Sequence, residues 1–197
     1  MNYNERIRKI INKQQGTLLT QDLDQHEIPR TYLSIMVAEG KLERVERGAY
    51  VLPDLIEDEM FILQNKYPTL VYSHETALYI HGLSDRNPFE YSATVQSGYK
   101  ATRALSAKSK IYYVKKNLHQ MGVIEGKTYL GNSIKIYNVE RTICDLLRSR
   151  NRIDIQIFSD ALKRVASKSD IDYNLLSEYA KKLRVEKILN TYLTVLL

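Results

Sequence analysis

Ile7, Ile10 and Ile11 recur at helical spacing among Arg6, Arg8, Lys9 and Lys13. This spacing predicts an amphipathic helix over residues 3–14, ended by Gly16. Thr20 is placed to cap a short second helix around Leu23, with Asp22 in the first turn, where the helix dipole favours an anion. Pro29 suits the first position of a third helix running to Glu39, and Gly40 offers a left-handed stop. Leu33, Met36 and Val37 are its expected buried stripe, with Arg30, Thr31, Ser34 and Ile35 on the other side. Two β-prone runs between Leu42 and Leu52 flank Glu46-Arg47-Gly48, a hairpin signal, and Pro53 closes the segment.

Three short helices followed by a hairpin is the order of a winged helix-turn-helix. In such a module the third helix can enter the major groove, where base edges are distinguishable, while the hairpin lies along phosphates. Arg30, Thr31, Tyr32 and Ser34 are the candidates for contacts from the helix, and Lys41, Arg44 and Arg47 for contacts to the backbone. The same architecture serves protein–protein contact, and an exposed Ile35 suits either a thymine methyl or a partner protein.

Beyond Pro53 the pattern changes. Residues 54–66 read as a helix begun by Asp54, Glu57, Asp58 and Glu59. Leu70-Val71-Tyr72 reads as a short buried strand, and Ser73 as the cap of a helix from His74 to His81, stopped by Gly82. Strands are expected near 90–96, 110–115 and 127–137, the last folded into a hairpin at Gly131-Asn132. From Val139 onward the periodicity is helical, with Ile143, Leu146 and Leu147 on one face and further helices near 154–167, 173–183 and 184–195. The expected class is α/β (α+β): a winged helix-turn-helix domain over 1–53, then a mixed-sheet domain over 54–197 with a helical C-terminal part.

Charge alters this picture more than composition does. The 197 residues carry a net +6, yet residues 1–53 account for only +1 and residues 54–96 for −5. Residues 97–128 hold Lys100, Arg103, Lys108, Lys110, Lys115, Lys116 and Lys127 against the single acid Glu125. Such a block makes a local field, and Lys100, Arg103, Lys108 and Lys110 become further candidates for phosphate contact. A solvated strand edge guarded by lysines is the alternative for the same residues. No apolar run is long enough for a membrane span, and the charged N-terminus does not read as a secretory signal; the expectation is a cytoplasmic protein.

Catalytic chemistry is weakly signalled. His74 and His81 stand on one face of a two-turn helix beside Glu75, but no further metal ligand is indicated, so neither a metal nor another cofactor is expected. Glu125-Gly126-Lys127 has the acid-x-lysine spacing of some metal-dependent nucleases, but the tripeptide also occurs at Glu39-Gly40-Lys41, where it ends a helix. Cys144 lies mid-helix among apolar neighbours and reads as a small buried hydrophobe. Arg141 and Asp145 are spaced to pair along a helix surface, worth a few tenths of a kcal/mol. Tyr112 and Tyr113, in the basic block, are expected to alternate inward and outward on a strand.

Taken in order, Leu42 to Pro53, Ser73-His74-Glu75-Thr76-Ala77-Leu78 with His81-Gly82-Leu83, and Val139-Glu140-Arg141-Thr142-Ile143-Cys144-Asp145-Leu146-Leu147 resemble the successive motifs of the AbiEi antitoxin family. The resemblance implies a non-enzymatic antitoxin of a type IV toxin–antitoxin pair, used in abortive infection against phage. It also implies transcriptional repression of its own operon. His74, Glu75, His81, Arg141 and Asp145 are the motif residues. The implied partners are double-stranded operator DNA, expected as an inverted repeat bound by two chains, each a monomer or half of a weak dimer. A nucleotidyltransferase-like toxin would be counteracted without a stable complex. Two other classes fit the residues: a metal-dependent nuclease targeted by a winged helix, and a winged helix that binds protein.

Overall fold

Residues 3–196 are described by the structure, a computed structural model. They fall into two compact units: one extends to Lys66 and includes Lys127–Ser133, and the other comprises Tyr67–Gly126 and the chain from Ile134 onward.

In the first unit Ile7, Ile10 and Ile11 bury one face of helix α1 (Tyr3–Lys13) against Leu18, Leu23, Ile28, Leu33, Met36 and Leu42. Gly16 then turns the chain at φ +92° into strand β1 (Thr17–Leu19), an element that periodicity over three residues could not reveal. Helix α2 (Thr20–Gln25) begins one residue earlier than expected. Its first turn is held by the Asp22 carboxylate accepting from the Leu19 amide at 2.7 Å, so Thr20 lies inside the helix and is not its cap. Helix α3 (Thr31–Ala38) is a residue or two shorter at both ends than the sequence suggests, and Gly40 at φ +66° closes it as anticipated. Strands β2 (Glu43–Glu46) and β3 (Ala49–Val51) form the hairpin, and β1 joins β3, giving an antiparallel sheet in the order β1-β3-β2. This is the winged-helix architecture.

Asp54, Glu57 and Asp58 precede helix α4 (Glu59–Lys66) instead of forming its first turn. Asp58 is fully buried and accepts from the Phe61 amide at 3.1 Å, from Thr128 Oγ1 at 2.5 Å and from Asn132 Nδ2 at 2.8 Å. It caps α4 and holds the Thr128–Asn132 loop, a role that dipole arguments about an acidic run did not reveal.

The second unit contains β4 (Val71–Tyr72), α5 (His74–Ile80), β5 (Tyr91–Gln96), α6 (Arg103–Lys108), β6 (Ser109–Val114), α7 (Lys116–His119), β7 (Val123–Lys127) and β8 (Ser133–Tyr137). The strands are ordered β6-β5-β4-β8-β7; β5 is parallel to β6 and antiparallel to β4, and β4 is parallel to β8, so the sheet is mixed as expected. Between β7 and β8 lies a five-residue connection, Thr128–Asn132, longer than the two-residue turn expected at Gly131-Asn132. Helices α8 (Val139–Arg148), α9 (Ile155–Ala166), α10 (Tyr173–Leu183) and α11 (Glu186–Leu196) complete the unit. The side chains of Asn138, Asp154 and Asp172 cap the first three of these. Their common core gathers Ile143, Cys144, Leu146 and Leu147 of α8 with Phe158, Leu162, Leu176 and Leu183.

Candidate nucleic-acid interface

Within α3 the apolar stripe is narrower than expected: Leu33 and Met36 are buried, but Val37 is 38 % exposed and Ile35 48 %. The helix is only two turns long, so Val37 falls on the shoulder of its stripe. Thr31 and Ser34 are exposed beside Ile35. Tyr32 is half-buried, its ring edge-on to Tyr3 at 5.1 Å between centroids, so it packs against the core rather than facing outward with Thr31 and Ser34. Arg30, at the helix start, makes a two-pronged contact with Asp24, Nε to Oδ1 at 2.8 Å and Nη2 to Oδ2 at 2.5 Å. That contact holds the Asp24 carboxyl below its usual range. Lys41 lies on the Glu39 carboxylate at 2.6 Å, Arg44 donates to the Glu46 carbonyl at 3.3 Å, and Arg47 is exposed at the hairpin tip.

The basic block is divided by the fold. Lys100, Arg103 and Lys108 are exposed on and before α6, a helix missing from the sequence reading. Lys110 is turned inward: its ammonium donates to Glu75 Oε1 at 3.2 Å and to the Arg152 carbonyl at 2.9 Å, so a carboxylate already meets its charge. Tyr112 is buried and Tyr113 exposed, the alternation expected on a strand.

The motif residues of the second unit are mostly internal. His74 is buried with φ +47°, a backbone conformation uncommon outside glycine. Its ring stacks on Tyr112, with Nδ1 2.9 Å from Ser73 Oγ and Nε2 3.0 Å from Ser149 Oγ. Ser73 therefore bonds the imidazole instead of capping α5. Burial, with Arg141, Lys110, Arg152 and Arg148 nearby, holds His74 well below the ordinary histidine value of 6.5. His81 Nε2 bonds to the Tyr137 carbonyl at 2.7 Å, and burial lowers it too. Burial pushes the Cys144 thiol up to about 12, in keeping with an inert packing residue. Among the described residues, no three His, Cys, Asp or Glu side chains are grouped to hold a metal ion. Glu125 is exposed on β7.

Arg141 is 0 % exposed and Asp145 1 %. Arg141 Nε meets Asp145 Oδ2 at 2.9 Å, Nη1 donates to the carbonyls of Leu118 (2.6 Å) and Met121 (3.0 Å), and the guanidinium lies 4.3 Å from the Tyr137 ring centroid. Gly122, at φ +79°, makes room for it: a Cβ there would come within 2.7 Å of Arg141 Cβ. The pair is thus a buried bridge, not the surface pair its spacing suggests, and a surface value of a few tenths of a kcal/mol does not apply to it. Sequence offered no signal of this, since Glu140, Arg141, Thr142, Asp145 and Arg148 interrupt the apolar positions of α8 as in a helix with one solvated face, yet Glu140 to Leu147 are all buried.

Residues 5–53 match the family described as "Transcriptional regulator, AbiEi antitoxin". The winged-helix segment is thus similar to the AbiEi antitoxin regulators. No curated protein matches the sequence. Among solved structures, the RV2827C protein from Mycobacterium tuberculosis shares the fold, with a TM-score of 0.61 over 89 % of this chain and 69 % of its own, at 9 % identity. No helix among the described residues is long and apolar enough to cross a membrane.

His74 also makes a pH prediction. A histidine held below its unfolded value stabilises the fold above pH 6.5, and that contribution is lost as the pH falls beneath it, because only the unfolded chain takes up the proton. In urea titrations between pH 5 and 7.5, the native sequence should lose stability faster than His74→Asn, by about 1.4 kcal/mol per pH unit for one proton. Asparagine tolerates the positive φ. Equal slopes would mean that His74 titrates normally.

Proposed function

We propose that the protein is a DNA-binding antitoxin and autorepressor, non-catalytic, acting in the cytoplasm in a type IV pair with a nucleotidyltransferase-like toxin. The match of its winged helix to the AbiEi regulators carries this reading. Thr31, Ser34 and Ile35 on α3 would face base edges, Arg30 would contact a base or phosphate at the helix start, and Arg44 and Arg47 would follow the backbone. Two chains on an inverted repeat would present one AbiEi module to each half-site. Lys100, Arg103 and Lys108 would add phosphate contacts from the second unit. Its motif residues act in this reading as scaffold for the antitoxin function.

The test is binding to DNA from upstream of the gene across a salt series. Arg47→Ala should weaken binding uniformly across sequences, whereas Arg30→Ala should relax base preference. Replacing Lys100, Arg103 and Lys108 together by alanine should reduce the salt slope by roughly 3 if all three meet phosphates. An unchanged slope removes α6 from the interface. Failure of the native protein to bind at low salt overturns the repressor reading, and failure of co-expression to rescue growth against the adjacent toxin overturns the antitoxin reading.

A further inference from the structure

Two clefts in the second unit share Arg148. The larger, about 560 Å³, is lined by Lys115, Arg148, Lys182 and Arg184 over an apolar floor that includes Leu118 and Met121. The smaller, about 340 Å³, sets Arg148 and Arg152 beside Tyr113 and Ser149. No carboxylate lines the larger cleft. The one carboxylate at the smaller, Asp145, is buried and held by Arg141. Lys182 is satisfied by Glu178 at 2.5 Å, but Lys115, Arg148, Arg152 and Arg184 form no ion pair among the described residues.

Lys115, Arg148 and Arg184 line the larger cleft with no carboxylate among them and repel one another, and the fold does not require all of them there. A helix dipole accounts for Arg148, in the last turn of α8, and for Lys182, in the last turn of α10. It does not account for Lys115, which precedes α7, while Arg152 is held over the Tyr112 ring, its guanidinium 4.5 Å from the ring centroid. Arg184 occupies a left-handed cap at φ +61°, where glycine or asparagine is the ordinary choice. Guanidinium groups bind phosphate oxygens with two parallel hydrogen bonds, and both hollows fall within the size range of small-molecule sites. Tyr113, 47 % exposed at the edge of the smaller cleft, offers a flat apolar ring of the kind on which bases stack.

We infer that these two clefts, which share Arg148, together bind a nucleotide carrying two or more phosphates, with its base on Tyr113, its phosphates on Arg148 and Arg152, and its terminal phosphate toward Lys115 and Arg184. The site is independent of the winged helix and would stand if that module bound no operator.

Isothermal titration of the full-length protein with ATP, pyrophosphate and a short single-stranded oligonucleotide tests the assignment. ATP should bind saturably, Arg148→Ala should weaken it by about tenfold or more, and Lys115→Ala should weaken it in the same direction. Tyr113→Ala should weaken ATP by about fivefold or more and leave pyrophosphate unchanged, since only the former has a base to stack. Circular dichroism melts establish that each variant is folded, and Arg148→Lys, which keeps the charge, should bind with intermediate strength. The assignment is overturned if ATP gives no saturable binding, or if folded Arg148→Ala and Lys115→Ala both bind it as the native protein does. It is also overturned if ATP binds no better than pyrophosphate and Tyr113→Ala changes neither. An oligonucleotide that binds more tightly than ATP and displaces it would assign the clefts to a phosphodiester chain instead.

Discussion

Replacing Arg141 by methionine should destabilise the second unit by about 3–5 kcal/mol, enough to approach unfolding in a domain of ordinary stability. The change strands the Asp145 carboxylate, which is 1 % exposed, and removes the donor that satisfies the carbonyls of Leu118 and Met121. Burial already pushes the Asp145 carboxyl upward, with Arg141 opposing. Without the guanidinium, protonation becomes the lower-energy escape. The stranded charge and the lost carbonyl contacts can be separated by the double variant Arg141→Met with Asp145→Leu, since paired apolar replacement of a buried bridge is often close to neutral. Urea unfolding should show most of the loss recovered in the double variant. A double variant as unstable as the single one would place the cost in the carbonyl contacts, and a single variant within about 1 kcal/mol of native would show that the bridge contributes little.

The second large effect belongs to Asp58. Its carboxylate caps α4 and accepts from two side chains of the Thr128–Asn132 loop while fully buried. Asp58→Ala should cost about 2–4 kcal/mol: roughly 1 for the lost cap, and the rest for buried donors left without an acceptor. Asp58→Asn keeps the cap and one acceptor oxygen, and should fall between. Thermal unfolding reads the total, and amide exchange across Glu59–Lys66 reads the cap. Unchanged exchange in that helix would show that Asp58 does not hold its first turn.

Both residues show where the sequence is legible and where it is not. Local periodicity was enough for α1, for the hairpin at Arg47-Gly48 and for α8 to α11, because turn chemistry and apolar spacing act within a few residues. Strand β1 was not legible, since three residues carry no period and its partner β3 stands some thirty positions away. The role of Asp58 depends on Thr128 and Asn132, about seventy residues distant, and the burial of Arg141 depends on Leu118 and Met121 at the end of α7. At the interface, residue types in α3 and the wing could be read, but Tyr32 packing on Tyr3 and Lys110 closing on Glu75 are tertiary choices between two faces of amphipathic side chains. Charge counting located the basic block; only the fold divides it into an outward part around α6 and an inward lysine.

The clasp between Arg30 and Asp24 bears on how an operator would be recognised. A guanidinium already held by a carboxylate brings no new neutralisation to DNA; it must change partners. For an arbitrary base step that exchange gains little, whereas a guanine edge offers a matching pair of acceptors. In the proposed reading Asp24 therefore acts as an internal competitor: it lowers the affinity of Arg30 for every sequence while preserving the margin of the right one. Its removal should produce a protein that binds DNA of every sequence more tightly, with its preference for the right one intact.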